Sequence, residues 1–262
     1  MGLKFVNITR EEFLSKKLLH KFMSLEYALS TLEKKCLWFA NPTTWKDPFE
    51  KRFIEAKYKD CKGKVKQFAW KDRIFCICMT ETSTSEAYWN TYSQQTIGVE
   101  LKFNRKCLLD ALETLATNNN LNIFIGKVEY MKTSDIRKPL SEIPFNPQIN
   151  SGINTQMGKA RLLLLKRIAY RYEDEIRIMI VKKDKTKEKG TYLKYQCDNT
   201  AMIDSITLDP SIGSYVTTLL KNTFVHTYGF IPIKTNSLSK KFRYRVQKSS
   251  LYSEVNQAEI DI

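Results

Sequence analysis

The chain has 262 residues, and its hydrophobic fraction of 42% and aromatic fraction of 12% exclude an intrinsically disordered polypeptide. Lysine and arginine number 43 against 28 aspartates and glutamates, so the formal net charge is +15. This excess favours a polyanionic partner such as nucleic acid or an acidic inhibitory protein, unless it serves only solubility. No apolar run is long enough to span a bilayer and no signal-peptide pattern is present, so we expect a cytoplasmic protein with no membrane partner.

The first half of the chain predicts strands that alternate with helices. Predicted strands cover residues 18–23, 36–39, 73–79, 96–103 and 122–130. Predicted helices cover residues 24–34 and 105–117, and Ser83 with Glu86 predicts a capping box that opens a further helix.

The second half predicts a long irregular segment, then a helix that delivers a charged strand. The irregular segment is 131–156, the helix 158–170, and the strand lies within 170–181. Residues 182–190 predict a hairpin tip that returns through 191–195. Later come a strand at 202–208, a helix at 211–221 capped by Asp209-Pro210, and a strand at 227–233.

This order lacks a regular βαβ repeat and contains no low-complexity linker. We therefore expect an α+β fold in which mixed, mostly antiparallel sheets are flanked by helices. The whole chain, 1–262, is predicted to form a single domain with a basic C-terminal tail at about 234–262.

Two basic segments contain interleaved aromatic residues. Residues 51–72 contain seven lysines with Tyr58, Phe68 and Trp70, and the tail contains the basic and aromatic patch 240–245. Such segments bind single-stranded nucleic acid through phosphate contacts and base stacking. The alternative for residues 51–72 is a solvated amphipathic helix whose aromatic side chains belong to the core.

The six cysteines and two histidines lack the spacing of a metal site. Neither a CxxC nor an HxxxH pattern occurs, so no metal ligands are predicted from this pattern. Free thiols in a reducing compartment are the expected state. No local signal supports a catalytic pair of cysteine and histidine.

A cluster of charged residues marks the strand near position 175. Ile176, Ile178 and Ile180 alternate with charged neighbours, which is typical of a half-buried strand. The same alternation places Glu173, Glu175 and Arg177 on one face. Two carboxylates at this spacing suit chemistry at a sugar, since one stabilises positive charge on the ribose and the other aligns or deprotonates an acceptor. The alternative is a solvated strand face with a Glu–Arg pair.

Several blocks of sequence, taken in order, resemble those of a large bacterial family whose members are sparsely characterised. The blocks span about residues 18–215, and each is weakly specific alone. They are His20-Lys21-Phe22, Leu37 to Asp47-Pro-Phe-Glu50, Cys76-Ile-Cys-Met79, Trp89-Asn-Thr-Tyr92-Ser93, Gly98 to Phe103, Lys127-Val-Glu-Tyr130, Lys166, and Tyr172-Glu-Asp-Glu-Ile-Arg177.

The layout also resembles that of the ADP-ribosyltransferase superfamily, which implies an ADP-ribosyltransferase-like fold and NAD as substrate. By that resemblance Glu175 is the catalytic carboxylate, and Glu173 orients or deprotonates the acceptor. The implied NAD-binding residues come from the earlier blocks. Lys21 or His20 holds the phosphate or the adenosine ribose, Trp89 or Tyr92 stacks on nicotinamide, and Ser83 belongs to a Ser-Thr-Ser motif. This chain has Lys21 where the superfamily usually has arginine or histidine.

The resemblance and the charge together predict an NAD-dependent toxin that modifies nucleic acid, RNA in preference to DNA, in anti-phage defence. We expect an acidic antitoxin or other inhibitory partner protein, with or without a chaperone. One alternative is a nucleic-acid-binding effector without catalysis. The other is a metal-dependent nuclease in which Asp47, Glu50, Glu173 and Glu175 bind magnesium.

Overall fold

A computed structural model of the chain describes most of its residues. They are 2–45, 47–55, 57–59, 65–67, 73–83, 85–93, 96–137, 155–182, 190–197, 202–228 and 245–248. They form two compact units, each assembled from segments that are separate in sequence. The first unit takes residues from 1–15, 38–79 and 112–195, and the second from 16–37, 80–111 and 196–262.

The strands and helices are numbered in chain order. The strands are β1 (Gly2–Val6), β2 (Leu18–Ser24), β3 (Cys36–Ala40), β4 (Lys57–Lys59), β5 (Val65–Gln67), β6 (Ile74–Thr80), β7 (Gly98–Asn104), β8 (Asn122–Lys127), β9 (Glu129–Met131), β10 (Leu165–Arg167), β11 (Glu175–Val181), β12 (Tyr192–Gln196), β13 (Ile203–Leu208) and β14 (Arg245–Lys248). The helices are α1 (Arg10–Leu14), α2 (Leu25–Glu33), α3 (Pro48–Glu55), α4 (Glu86–Ser93), α5 (Arg105–Asn118), α6 (Thr133–Arg137), α7 (Gln156–Leu162) and α8 (Ser214–Tyr228).

In the first unit, β11 lies between β8 and β6. It runs antiparallel to β8, and β8 runs parallel to β1. Strand β3 pairs with β6 and with β12, while β9 and β10 form a short parallel pair. All seven residues of β11 are buried, which identifies it as a central strand of this unit.

The core of this unit forms around β11 and the apolar turn that follows α7. Leu162, Leu163, Leu164 and Met179 are buried there, and Trp45 and Phe49 pack against the same cluster. Gly126 on β8 leaves room for Leu164, because a Cβ atom at Gly126 would lie 2.4 Å from the Leu164 Cδ1 atom.

In the second unit, β7 is paired on both sides by antiparallel strands, β2 and β13. Strand β14 extends this sheet as a parallel neighbour of β13, and Thr80 at the end of β6 pairs with His20 on β2. Helix α4 packs over Gly98, where a Cβ atom would lie 2.2 Å from the Ser93 Oγ atom. Glycine at this position therefore allows the helix to approach the sheet closely.

The α+β prediction is confirmed, with a mostly antiparallel sheet and several helices. The predicted strands near residues 18, 36, 73, 96 and 202 and the helices near 24 and 105 are confirmed within two residues of their bounds. The single-domain assignment stays a prediction. No helix among the described residues is long and apolar enough to cross a membrane.

Four predicted elements are wrong in detail. The helix predicted at 158–170 ends at Leu162, because residues 165–167 pair with β9 as a strand. Strand β12 pairs with β3, whereas β11 lies between β8 and β6, so the predicted return at 191–195 does not pair with β11; residues 183–189 of the predicted tip lie outside the described residues. The Asp209 carboxylate accepts a hydrogen bond from the Ser211 N–H in a turn, and α8 begins later, at Ser214. Residues 227 and 228 end α8, and the rest of the strand predicted at 227–233 lies outside the described residues.

The two basic and aromatic segments lie mostly outside the described residues. Residues 51–55 continue α3, and β4 and β5 form an antiparallel pair in place of a continuous helix through 51–72. Of the tail patch at 240–245, Arg245 falls in β14. Of the irregular segment 131–156, residues 138–154 lie outside the described part.

Candidate functional site

The charged motif of β11 is buried in the first unit. Glu175 is 3% exposed and Arg177 1% exposed, so neither of the sequence expectations, a half-buried strand or a solvated face, is correct. The two side chains lie on the same face, as the strand alternation predicts, and they contact each other directly.

Arg177 holds two carboxylates at once. Its Nε and Nη2 atoms donate to the two Glu175 oxygens, each at 2.9 Å, in a bidentate pair. Nη2 also contacts the Glu50 carboxylate at 2.7 Å, and Nη1 donates to the Leu163 carbonyl. The Trp45 ring packs on the guanidinium with 4.2 Å between its centroid and the Arg177 Cζ atom.

Lys166, on β10, contacts three carboxylates. Its Nζ atom lies 2.5 Å from Glu173 Oε2, 3.1 Å from Glu175 Oε2 and 3.4 Å from Glu50 Oε1. Three carboxylates and two cations thus form one cluster, whose formal charge is minus one when every member is ionised. We call Glu50, Lys166, Glu173, Glu175 and Arg177 the acidic cluster.

Glu173 reaches the acidic cluster from a 3₁₀ turn, Ile168–Glu173, that precedes β11. Asp174 links the turn to the strand with a left-handed backbone, φ 39° and ψ 58°. This bend lets Glu173 and Glu175 both face Lys166 although Glu173 is not part of the strand. The Glu173 side chain is 16% exposed, more than that of Glu175.

The loop before α3 attaches to the same turn. The Asp47 carboxylate pairs with Arg167 through Oδ2 to Nε at 3.3 Å and Oδ1 to Nη2 at 3.2 Å. Arg167 lies against the Phe49 ring, 4.2 Å from its centroid, and donates to the Tyr170 hydroxyl at 2.9 Å. The sequence block that contains Asp47 and Glu50 therefore anchors the segment that carries Glu173.

Burial and charge move the pKa values of the two motif carboxyls in opposite directions. Burial raises the pKa of Glu175, but the charges of Arg177 and Lys166 outweigh it and lower the pKa to about 2. Burial raises the pKa of Glu173, and Glu175 adds to that rise while Lys166 opposes it. Glu175 is therefore a fixed anion at neutral pH, and Glu173 binds a proton more readily than an ordinary glutamate.

Two further groups border the acidic cluster. The Tyr130 hydroxyl accepts a hydrogen bond from the Glu175 N–H at 3.0 Å, and burial raises the pKa of this phenol. The Cys78 thiol donates to Glu175, and burial raises the pKa of Cys78 and of Cys76. Both thiols stay protonated at neutral pH and are not activated nucleophiles.

The predicted NAD-binding residues belong to the second unit. His20 is buried, with Nδ1 2.7 Å from Glu100 Oε1. Phe22 stacks on Tyr88 with 4.7 Å between centroids, and Trp89 meets Phe22 edge-on at 4.9 Å. Lys21 stands between His20 and Phe22 in the sequence of β2, and its side chain is half-buried.

Tyr92 and Ser83 lie on and before helix α4. Tyr92 is 37% exposed and continues the stack from Tyr88 at 6.4 Å. The capping box proposed for Ser83 is wrong, because α4 begins at Glu86 and its first turn hydrogen-bonds to the Ser85 carbonyl. The roles of these residues in NAD binding stay predictions.

Sequence reasoning named the two motif carboxylates and Arg177, which the structure brings together. It placed Glu50 beside them only in the nuclease alternative, and it missed Lys166, which stands in the blocks quoted for the family resemblance. The nuclease alternative needs these carboxylates as magnesium ligands, but they pair with cations of the protein. Asp47 pairs with Arg167, and Glu50 and Glu175 each contact both Arg177 and Lys166. Across the described ranges, no group of three or more His, Cys, Asp or Glu side chains is placed to hold a metal ion.

Residues 88–178, about a third of the chain, match the sequence profile of a family described as "Protein of unknown function (DUF2971)". The match includes Glu173, Glu175 and Arg177 and ends before β12. No curated protein and no solved structure matches the chain. The matched family carries no assigned activity, so the resemblance to ADP-ribosyltransferases stays a prediction.

Proposed function

We propose that the chain is an NAD-dependent ADP-ribosyltransferase that modifies nucleic acid, with RNA favoured over DNA. The convergence of Glu173 and Glu175 on the Lys166 ammonium, at 2.5 and 3.1 Å, is the observation that supports this proposal. Two neighbouring carboxyls whose pKa values move apart can divide the roles of fixed charge and proton acceptor.

In this proposal the glycosidic bond of NAD breaks and nicotinamide leaves with the bonding electron pair. Glu175, ionised and fixed by Arg177, supplies negative charge that stabilises the oxocarbenium-like ribose. A nucleophilic oxygen or nitrogen of the nucleic acid then bonds to the ribose carbon, and Glu173 accepts its proton. The greater exposure of Glu173 fits its role as the group that reaches the acceptor.

The test is transfer of label from NAD to RNA or DNA by the purified protein. We expect Glu173→Gln to reduce transfer by about 10²–10⁴-fold, the usual contribution of a general base. Glu129→Gln is the matched control, because Glu129 is an exposed glutamate of the same unit, and it should transfer at the wild-type rate. No transfer by the wild type, or equal transfer by Glu173→Gln, would contradict the proposal.

The NAD-binding assignments are tested in the same assay through the Michaelis constant. Lys21→Ala, Trp89→Ala, Tyr92→Ala and Ser83→Ala should raise the KM for NAD, as should His20→Ala in variants that fold. Unchanged KM values in all five would remove these residues from the proposal.

We propose further that this activity serves as a toxin in anti-phage defence, held in check by an acidic partner. The net charge of +15 supports an acidic inhibitor, because complementary charge accelerates association. Expression of the wild type alone should stop bacterial growth, whereas Glu173→Gln should be harmless. Normal growth with soluble wild-type protein would argue against the toxin role.

A second candidate function is nucleic-acid binding without catalysis. The full engagement of both Glu175 oxygens by Arg177 and Lys166 favours it, because buried and paired carboxylates also occur in purely structural clusters. This candidate predicts RNA binding that weakens steeply with salt, needs no NAD and is unchanged in Glu173→Gln.

A further inference from the structure

Lys166 occupies the one position in the acidic cluster that contacts all three carboxylates. Arg177 binds Glu175 and Glu50, whereas the Lys166 Nζ atom contacts both of these and also Glu173. Lys166 is buried and opposes Tyr130 in the parallel pair of β10 and β9, so its backbone position is fixed by the sheet register.

Charged and titratable groups face Glu173 from every element packed against it. Lys166 approaches from β10, Glu175 from β11 and Glu50 from α3, while Tyr172 and Tyr130 approach from its own turn and from β9. The Lys166 ammonium is in direct contact with the Glu173 carboxylate, at 2.5 Å, and the two glutamates oppose ionisation of Glu173.

We propose that Lys166 is a positioning residue that fixes the Glu173 carboxylate beside Glu175 and sets the pH range in which Glu173 can accept a proton. This inference rests on the proposed function, in which Glu173 is the proton acceptor. Without the ammonium charge, Glu173 would face two like charges in a buried setting and would hold its proton to higher pH.

The direct test follows the Glu173 carboxyl by ¹³C NMR as a function of pH, with the resonance assigned by its loss in Glu173→Gln. In Lys166→Met, and in Lys166→Gln, which keeps a hydrogen-bond donor, the titration midpoint should rise by about one to three pH units. Lys166→Arg keeps the charge and should return the midpoint towards the wild-type value. An unchanged midpoint in a folded, charge-removing variant overturns the inference.

If both charge-removing variants fail to fold, a measurement on the wild type tests the coupling between Lys166 and Glu173. The ¹⁵Nζ resonance of Lys166 should shift with the same midpoint as the Glu173 carboxyl, and this shift should vanish in Glu173→Gln. A Lys166 resonance that does not respond to the Glu173 titration overturns the inference.

Label transfer gives the second readout. The acid limb of the pH–rate profile should move to higher pH in Lys166→Gln and return towards the wild-type position in Lys166→Arg. An equal loss of the transfer rate at every pH would indicate a structural role only and would overturn the inference. The titrations need no NAD. If the wild type transfers no label while the Glu173 midpoint still depends on Lys166, the proposed function fails and the electrostatic coupling stands.

Discussion

Replacing Arg177 by methionine should be among the most destabilising single changes in the first unit. Methionine keeps an unbranched apolar side chain but removes the guanidinium from its contacts with Glu175, Glu50 and Trp45. The two carboxylates would stay buried, with Lys166 as the remaining cation of the acidic cluster.

The expected loss in the free energy of unfolding follows from the burial of Arg177. Arg177 is 1% exposed and donates to two carboxylates and a backbone carbonyl. Removing one partner of a buried ion pair costs about 3–5 kcal/mol, because the other charge is left without compensation. Domains of this size have free energies of unfolding of about 5–15 kcal/mol, so the loss would be a large share of the total.

Urea unfolding followed by circular dichroism measures this loss. Arg10→Met is the matched control, since the Arg10 side chain is 46% exposed and pairs with Glu113 at 2.5 Å on the surface. Exposed pairs contribute about 0–1 kcal/mol. A loss in Arg177→Met no larger than that in Arg10→Met would refute the view that burial makes the acidic cluster a determinant of stability.

Three other changes test separate features of the structure. Gly98→Ala should destabilise by about 1–3 kcal/mol through the clash with Ser93, and adding Ser93→Ala should recover part of the loss in urea unfolding. Asp174→Val should cost about 1–2 kcal/mol because φ is 39°, whereas Asp174→Gly should fold as well as the wild type in thermal melts. The folded-state pKa of Glu175, about 2, lies below its unfolded value, so its contribution, on the order of 3 kcal/mol, is present above about pH 4.3. The free energy of unfolding of the wild type should therefore fall as the pH is lowered from 6 towards 2. In Glu175→Gln the fall over the same range should be smaller.

The local pattern of the sequence was sufficient to predict the partners that lie two residues apart. The alternation of Ile176, Ile178 and Ile180 placed Glu175 and Arg177 on one face, and these side chains form the bidentate pair. The pattern could not predict that the face is buried, because a charged face usually points to water. The face can be buried because charged residues from other segments, Lys166 and Glu50, contact Glu175 and Arg177.

Contacts between distant segments could not be predicted from local pattern. Glu50 and Arg177 are separated by 127 positions, and their contact depends on how α3 packs beside β10 and β11. Lys166 follows the apolar run 162–165 in the segment predicted as a helix, but the pairing of Leu165 with Glu129 makes residues 165–167 a strand. Side-chain partners of this kind follow from the tertiary fold and not from periodicity.

The blocks that suggested a family resemblance owe part of their regular order to physical contact. Glu50 pairs with Arg177, Asp47 pairs with Arg167, and both contacts join one early block to one late block. Such contacts would be required whether the acidic cluster stabilises the fold or performs chemistry, so block order alone does not argue for catalysis. Glu173 is the residue for which the two possibilities predict different results, because its pKa is raised and its side chain is partly exposed, whereas the ion pairs of Arg177 with Glu175 and Glu50 do not involve it. In the proposed function a raised pKa suits a proton acceptor beside a fixed anion, so the label-transfer assay of Glu173→Gln distinguishes catalysis from stabilisation alone.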